Sequence, residues 1–334
     1  MIVLLLFKKV LLILCSKSQT MNNLDPVVLF FLLGAIAGLA KSDLKVPESF
    51  YNVLSIYLLL AIGIKGGIEL HHTGINAIII PCIGAVTLGT VITLSIYVIG
   101  KKIFKFSGED AAALAAHYGS VSAVTFAVVI SFLKQHQVSY EGYMTVMLVM
   151  MEIPAIVVAI GIYIMKNRTT LSNPLKLAHE IFMGKSVLLL TGGLIIGVFI
   201  EVTGNRQMNI FFFDLFKGFL AIFMLEMGIV ASANMSDLRK AGIKILVFGI
   251  LMPLFSASIG ILFGYMIGLS VGGTTILATM AASASYIAAP AAVRIAIPKA
   301  NPSVYLTAAL GITFPFNLIF GINIYHQLAT FFIH

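Results

Sequence analysis

The uncharged stretch between Lys244 and Arg294 is the feature that most limits how this chain can fold. No Asp, Glu, Lys or Arg lies between these two residues, whereas one membrane-spanning helix needs only about 20 apolar residues. The whole chain agrees: 60% of its residues are hydrophobic and 10% are charged. A soluble domain carries about a quarter charged residues. The sequence therefore predicts an integral membrane protein and excludes a soluble enzyme.

Sequence signatures of cofactor or metal chemistry are absent. The two cysteines, Cys15 and Cys82, have no spacing typical of a disulfide framework or a zinc site, and no phosphate-binding glycine loop occurs. The net charge of +8 comes from basic residues scattered between apolar runs, not from one patch. We therefore predict no cofactor, no transition-metal site and no nucleic-acid partner.

Apolar runs separated by charges and turn residues predict ten spans in two groups of five. The first group is Pro26 to Ala40, Tyr51 to Glu69, Ile75 to Gly100, Ala111 to Leu133 and Tyr143 to Met165. The second group is Ser186 to Ile200, Phe213 to Ser232, Ile243 to Ile267, Gly273 to Ile297 and Ser303 to Phe332.

The two groups resemble each other. Ser120-Val121-Ser122 in the fourth run and Ser283-Ala284-Ser285 in the ninth are 163 positions apart. Five crossings per half would place the halves in opposite orientations, an arrangement typical of secondary transporters. One miscounted span would instead make the repeats parallel.

The distribution of basic residues predicts the orientation. Fourteen of the 21 Lys and Arg residues, including Lys101 and Lys185, follow odd-numbered runs, and cytoplasmic loops accumulate such residues. Both termini are then expected outside the cell. Residues 1–20 are apolar around Lys8 and Lys9 but short for a span. We interpret them as an over-extended start before Met21, with a signal-like segment and a lipid-surface helix as the alternatives.

Small and hydroxyl residues interrupt the fourth and ninth runs, and Pro290 removes a backbone donor from the ninth. Such interruptions predict broken helices, whose N-termini suit an anion and whose free carbonyl groups suit sodium. The alternative is that small residues only allow close helix packing.

Glu152, Glu226 and His117 lie well inside predicted spans. Glu152 stands directly before Ile153-Pro154, where it could favour sodium or be a hydrogen-bonded structural acid. Glu226 lies outside the interrupted runs, which favours a structural or gating role. His117 is interpreted as a packed donor and not as a proton relay.

Five segments of this chain resemble the sodium-dependent bicarbonate transporter superfamily of the SbtA type: His117–Phe126, Ser139–Glu141, Glu152–Ala155, Ala282–Ser285 and Ile297–Ser303. The resemblance runs from about Asn22 to His326. It implies an all-α membrane fold of ten helices in two inverted five-helix repeats, with crossed broken helices, a core domain and a gate domain. It also implies sodium-coupled bicarbonate uptake and commonly a homotrimer.

The resemblance carries site roles onto residues of this chain. The implied substrate-binding residues are Gly119, Ser120, Val121, Ser122, Ser283, Ala284 and Ser285. The implied sodium-binding or coupling residues are Ser120, Thr125, Glu152 and Ser283. Cyanobacterial members have Asp where this chain has Tyr286 and Ser where it has Val124, which leaves cation coordination and the exact anion open. A nitrogen-regulatory-type cytoplasmic partner is also implied, although the linker is short.

These observations predict a sodium-coupled importer of bicarbonate in the plasma membrane, or in the inner membrane of a Gram-negative cell. Transport of another small anion, coupled to sodium or protons, and a non-transporting anion sensor are the alternatives. The predicted divisions are an extension 1–20, repeats 21–165 and 186–334, a cytoplasmic linker 166–185, a core of 108–165 plus 271–334, and a gate of 22–100 plus 186–268.

Overall fold

The computed structural model describes residues 25–167, 173–203, 210–236 and 242–333, and in these ranges all regular structure is helical. The helices are α1 Pro26–Leu39, α2 Glu48–Thr73, α3 Ile75–Lys102, α4 Gly108–Gly119, α5 Ala123–Gln135, α6 Met144–Asn167, α7 Pro174–Met183, α8 Lys185–Thr203, α9 Phe216–Ser236, α10 Ile243–Met266, α11 Val271–Ala282, α12 Ala288–Ala296 and α13 Pro302–Ile333. A π-helix, Ile210–Asp214, precedes α9, and α13 contains two π-helical segments. The predicted extension 1–20 and the C-terminal His334 lie outside the described residues.

Six helical segments in the described ranges, with α4 and α5 counted together as one, are long and apolar enough to cross a membrane. The number is seven if α7 and α8, bent by 45°, form one span. The protein is therefore a multi-pass membrane protein, but the predicted ten spans are not all present as such helices. Helix α1 has 14 residues, about 21 Å at ~1.5 Å per residue, against a hydrocarbon core of about 30 Å. The predicted run Gly273 to Ile297 is divided into helices of 12 and 9 residues.

Glycines bring two pairs of helices into close contact. Helix α2 packs along α8, where a Cβ on Gly193 would lie 2.9 Å from the Gly63 Cα. Helix α1 packs along α9, where a Cβ on Gly34 or Gly228 would overlap the backbone of the facing helix. Small residues at these positions let the backbones approach, which is the usual basis of helix association in lipid.

The remaining long helices surround the two interrupted ones. Helix α3 packs on α4 and α6, while α10 packs on α11 and also contacts α13. The predicted gate included both α3 and α10, yet their packing places them beside the predicted core helices. We therefore group α3 and α10 with the core below, and the division into two moving domains stays a prediction.

The predicted linker 166–185 contains a helix, α7. Asn173 caps α7 by accepting a hydrogen bond from the Lys176 amide at 2.9 Å, and Pro174 takes the first helical position. Leu177 and Ile181, four residues apart, share a face and are buried. Helix α7 contacts α6, α8 and α12, so it connects the linker to the second interrupted helix. Residues 168–172 are outside the described ranges.

Candidate functional site

The first helix interruption lies between α4 and α5. Ser120 follows α4 in an extended conformation, with φ −81° and ψ 177°, so the helical hydrogen bonds stop there. Ser122 then caps α5, because its Oγ accepts a hydrogen bond from the Thr125 amide at 3.1 Å. A short hydroxyl side chain satisfies a free helix-end donor in this way. The sequence thus ends one helix and starts the next within three residues.

The second interruption, between α11 and α12, repeats the first. Ser283 follows α11 with φ −82° and ψ 169°, and the Ser285 Oγ accepts a hydrogen bond from the Ala289 amide at 3.2 Å. Pro290 lies in the first turn of α12, where its missing N–H costs no helical hydrogen bond. Both interruptions predicted from the sequence are therefore present.

Hydrogen bonds join the two interruptions directly. The Ser122 amide donates to the Ser283 Oγ at 2.9 Å, and the Ser285 amide donates to the His117 carbonyl at 2.8 Å. The His117 Nδ1 lies 2.6 Å from the Ser285 carbonyl oxygen and must be the donor, because a carbonyl oxygen only accepts. His117 is thus a buried donor that fixes one interruption to the other.

A small cavity of about 10 Å³ lies at this junction. Its lining residues are Val121, Ser122, Ala123, Glu152, Ser186, Ser285, Tyr286 and Ile287. This volume is about that of one water molecule, so a larger ligand requires the lining groups to move apart. Helices α5 and α12 both begin at the cavity, and the partial positive charges at their N-termini attract an anion.

Several polar atoms at this junction are buried and unpaired. Glu152 is 3% exposed and lies beside Ser186 in the cavity wall, and its Oε2 has no hydrogen-bond partner. The Tyr286 hydroxyl is near Ser122 but forms no well-aligned hydrogen bond. The Ser120 Oγ is also buried without a partner. Native proteins rarely leave buried polar groups unpaired, which makes this junction the candidate ligand site.

Four predicted site residues line the cavity together. These are Val121, Ser122, Glu152 and Ser285, contributed by both interruptions and by α6. Ser186 and Tyr286 complete the polar lining, but neither was predicted as a site residue. Ser186 lies on a different helix from Glu152, and no local sequence pattern indicates their contact. Tyr286 was noticeable only as a departure from the family pattern.

The other predicted residues lie beside the cavity without lining it. A Cβ on Gly119 would overlap the Thr93 side chain, so Gly119 is explained by helix packing. The Ser283 Oγ already accepts from Ser122 and donates to the Met280 carbonyl at 2.8 Å, which makes Ser283 a link between the interruptions. Thr125 donates its hydroxyl to Ser122 at 3.0 Å.

Ala284, the remaining predicted residue, is 4% exposed within the second interruption and offers no polar side-chain atom. Its contribution is therefore limited to its backbone.

Comparison with known protein families gives one match over nearly the whole chain. The matching family model is described as the Na+-dependent bicarbonate transporter superfamily and covers residues 26–330. A comparison with curated proteins gave no significant match.

Proposed function

Because the chain belongs to the Na+-dependent bicarbonate transporter superfamily, we propose that it imports bicarbonate together with sodium. The proposal depends above all on one observation, the cavity at the joined helix interruptions with a buried Glu152 in its wall whose Oε2 is unpaired. A transport family and several membrane-spanning helices describe a carrier and not an enzyme.

The lining chemistry suits bicarbonate. Bicarbonate carries one negative charge, has oxygen atoms that accept hydrogen bonds and has one O–H that donates. The helix N-termini at Ala123 and Ala288 favour the charge, while the hydroxyls of Ser122 and Ser285 can both donate and accept. In our proposal these two serines contact the anion, and Ser283 positions them through its bond to Ser122.

Sodium requires oxygen ligands, which the same junction offers. The Glu152 carboxylate and the Ser120 hydroxyl each have an unpaired buried oxygen. Extended backbone at Ser120 and Ser283 also frees carbonyl groups from helical bonding, and unwound carbonyls hold sodium in transporters built from interrupted helices. We propose that Glu152 provides the charge and that the hydroxyl and carbonyl oxygens complete the coordination.

Alternating access between inverted repeats is part of this proposal. The corresponding helices α4 and α11 each contain 12 residues and end at serines with nearly equal backbone angles. Gly74 and Gly242 precede α3 and α10 with φ of 79° and 81°, which glycine tolerates better than other residues. In the proposed cycle the core containing α3–α6 and α10–α13 moves against α1, α2, α8 and α9, within a trimer.

Uptake into proteoliposomes tests this function. Labelled bicarbonate should accumulate when sodium is outside and should not when potassium replaces it. Ser122→Ala and Ser285→Ala should each weaken apparent bicarbonate affinity about tenfold to a hundredfold, because a hydrogen bond to a charged group contributes roughly 1.5–3 kcal/mol. Ser258→Ala is the matched control, since the buried Ser258 hydroxyl bonds to the Leu254 carbonyl of its own helix.

Two outcomes would replace the proposal. Sodium-dependent accumulation of another small anion without bicarbonate uptake would assign a different substrate. This is the main alternative, because Tyr286 stands where cyanobacterial members have Asp. Anion binding without accumulation in sealed vesicles would indicate a sensor.

A further inference from the structure

A larger pocket of about 180 Å³ lies apart from the cavity at the helix interruptions and shares no lining residue with it. Its walls come from α2 and α9 on one side and from α5 and α6 on the other, with the Ile210–Asp214 π-helix beside them. The pocket lies at the C-terminal halves of α2 and α5 and at the beginnings of α6 and α9, which the predicted orientation places toward the external side. The pocket therefore lies between helices of the proposed core and gate.

Three lysines line this pocket: Lys65, Lys134 and Lys217. None of its described lining residues is acidic. Lys65 is half-buried and donates to the Tyr140 hydroxyl at 3.0 Å, while its ammonium group also lies close enough to Lys134 to interact with it. Two like charges held together beside a cavity repel each other unless an anion lies between them.

The charges around the lysines favour an anion with a single charge. The Asp25 carboxylate lies 3.5 Å from the Lys217 Nζ, and Glu69 interacts with both Lys65 and Lys134. Three lysines against these two carboxylates leave one positive charge in excess. A monoanion therefore neutralises the pocket, whereas a dianion would overcompensate.

The remaining lining is mainly apolar and aromatic. Phe126, Phe212, Phe213 and Phe216 form much of the wall, together with aliphatic residues of α2, α5 and α9. An apolar cavity of about 150 Å³ accommodates a benzene molecule, so a pocket of 180 Å³ has room for one aromatic ring. Aromatic walls also bind a ring through stacking or edge-to-face contacts.

We infer that this pocket is a second ligand site that binds a small aromatic monocarboxylate, with the carboxylate among the lysines and the ring against the phenylalanines. The proposed transport cavity differs on both counts, since it has no lysine and only space for about one water molecule. The inference goes beyond the proposed function and does not depend on which anion is transported.

Titration calorimetry on the purified full-length protein tests the site, with benzoate as the probe. Benzamide, neutral and nearly the same shape, should bind at least tenfold more weakly, and acetate, which lacks the ring, should also bind more weakly. Lys134→Gln should weaken benzoate binding about tenfold or more, because it removes one charged contact but keeps the Lys65–Tyr140 hydrogen bond. Lys101→Gln is the control, because Lys101 lies in the last turn of α3 and does not line the pocket; this variant should bind benzoate normally.

Three results would overturn the inference. Equal binding of benzoate and benzamide would show that the lysines do not recognise the carboxylate. An equal loss of benzoate affinity in Lys134→Gln and Lys101→Gln would show that only the overall charge of the protein matters. Absence of benzoate binding to the wild-type protein would exclude the site, provided that size-exclusion chromatography shows the protein to be folded. Lys217→Gln gives a second variant should Lys134→Gln fail to fold.

Discussion

Replacement of Glu152 by Gln is the most direct test of how sodium is held. The substitution keeps the size of the side chain, so the cavity at the helix interruptions keeps its shape. It removes the negative charge and places an amide NH2 group, which cannot coordinate a cation, at one of the two carboxylate oxygens. Glu152 is 3% exposed and its Oε2 is unpaired, so the lost charge has no substitute nearby.

The size of the effect follows from the one interaction with sodium that the substitution removes. The buried Oε2 has no hydrogen-bond partner, which leaves it free as a ligand for sodium. One interaction with a charged partner contributes roughly 1.5–3 kcal/mol, and about 1.4 kcal/mol corresponds to a factor of ten. The sodium concentration for half-maximal uptake should therefore rise about tenfold to a hundredfold in Glu152→Gln. Bicarbonate affinity at saturating sodium should change less.

Glu226→Gln is the matched control for this measurement. Glu226 also has a buried, unpaired Oε2, but it lies on α9 and does not line the cavity. Its substitution removes the same charge elsewhere in the helical bundle, so sodium dependence should stay within about twofold of wild type by this reasoning. Unchanged sodium dependence in a folded Glu152→Gln protein would refute the assignment and leave Glu152 a structural acid. Equal effects of the two variants would also refute it.

Three further predictions concern packing, orientation and the lysine-lined pocket. Gly193→Ala should lower the melting temperature by several degrees, because its Cβ would meet the facing helix and overpacking costs about 1–3 kcal/mol, whereas Gly192→Ala adds a Cβ in open space and should not. In a variant lacking both native cysteines, a membrane-impermeant thiol reagent added to intact cells should label Ser139→Cys and leave Lys101→Cys unlabelled; the reverse pattern would invert the orientation. Benzoate outside proteoliposomes should inhibit bicarbonate uptake without competing with it, since it would bridge helices that must move apart. Competitive inhibition would instead place benzoate in the transport cavity.

The interruptions were predictable from sequence because their causes are local. Serines that end one helix and cap the next act within a few residues, and Pro290 restricts the backbone at its own position. Helix α7 was predictable for the same reason, since Asn173-Pro174 is a capping signal and Leu177 and Ile181 have helical spacing. The polar residues around these signals favour a linker, and α7 lies within it.

The contacts between distant segments were not predictable from one sequence. Nothing in the residues around Ser186 shows that it faces Glu152, and nothing distinguishes Gly193, which touches α2, from the adjacent Gly192, which faces open space. Such facts depend on the rotation of one helix about its axis relative to another. A one-residue shift rotates a helical position by about 100°, so a small difference in packing decides which side chain faces the site.

The Glu152–Ser186 contact suggests how sodium could be linked to movement in the proposed mechanism. Glu152 belongs to α6 of the proposed core and Ser186 to α8 of the proposed gate, and both line the cavity, so the two moving parts meet there. Sodium bound at the Glu152 carboxylate would compete with Ser186 for the same oxygens and would favour conformations in which this contact is open. A ligand shifts such an equilibrium only by its difference in affinity for the two states. Ser186→Ala should therefore increase apparent sodium affinity, because it removes the competitor, whereas loss of sodium affinity would show that Ser186 orients Glu152 for sodium instead.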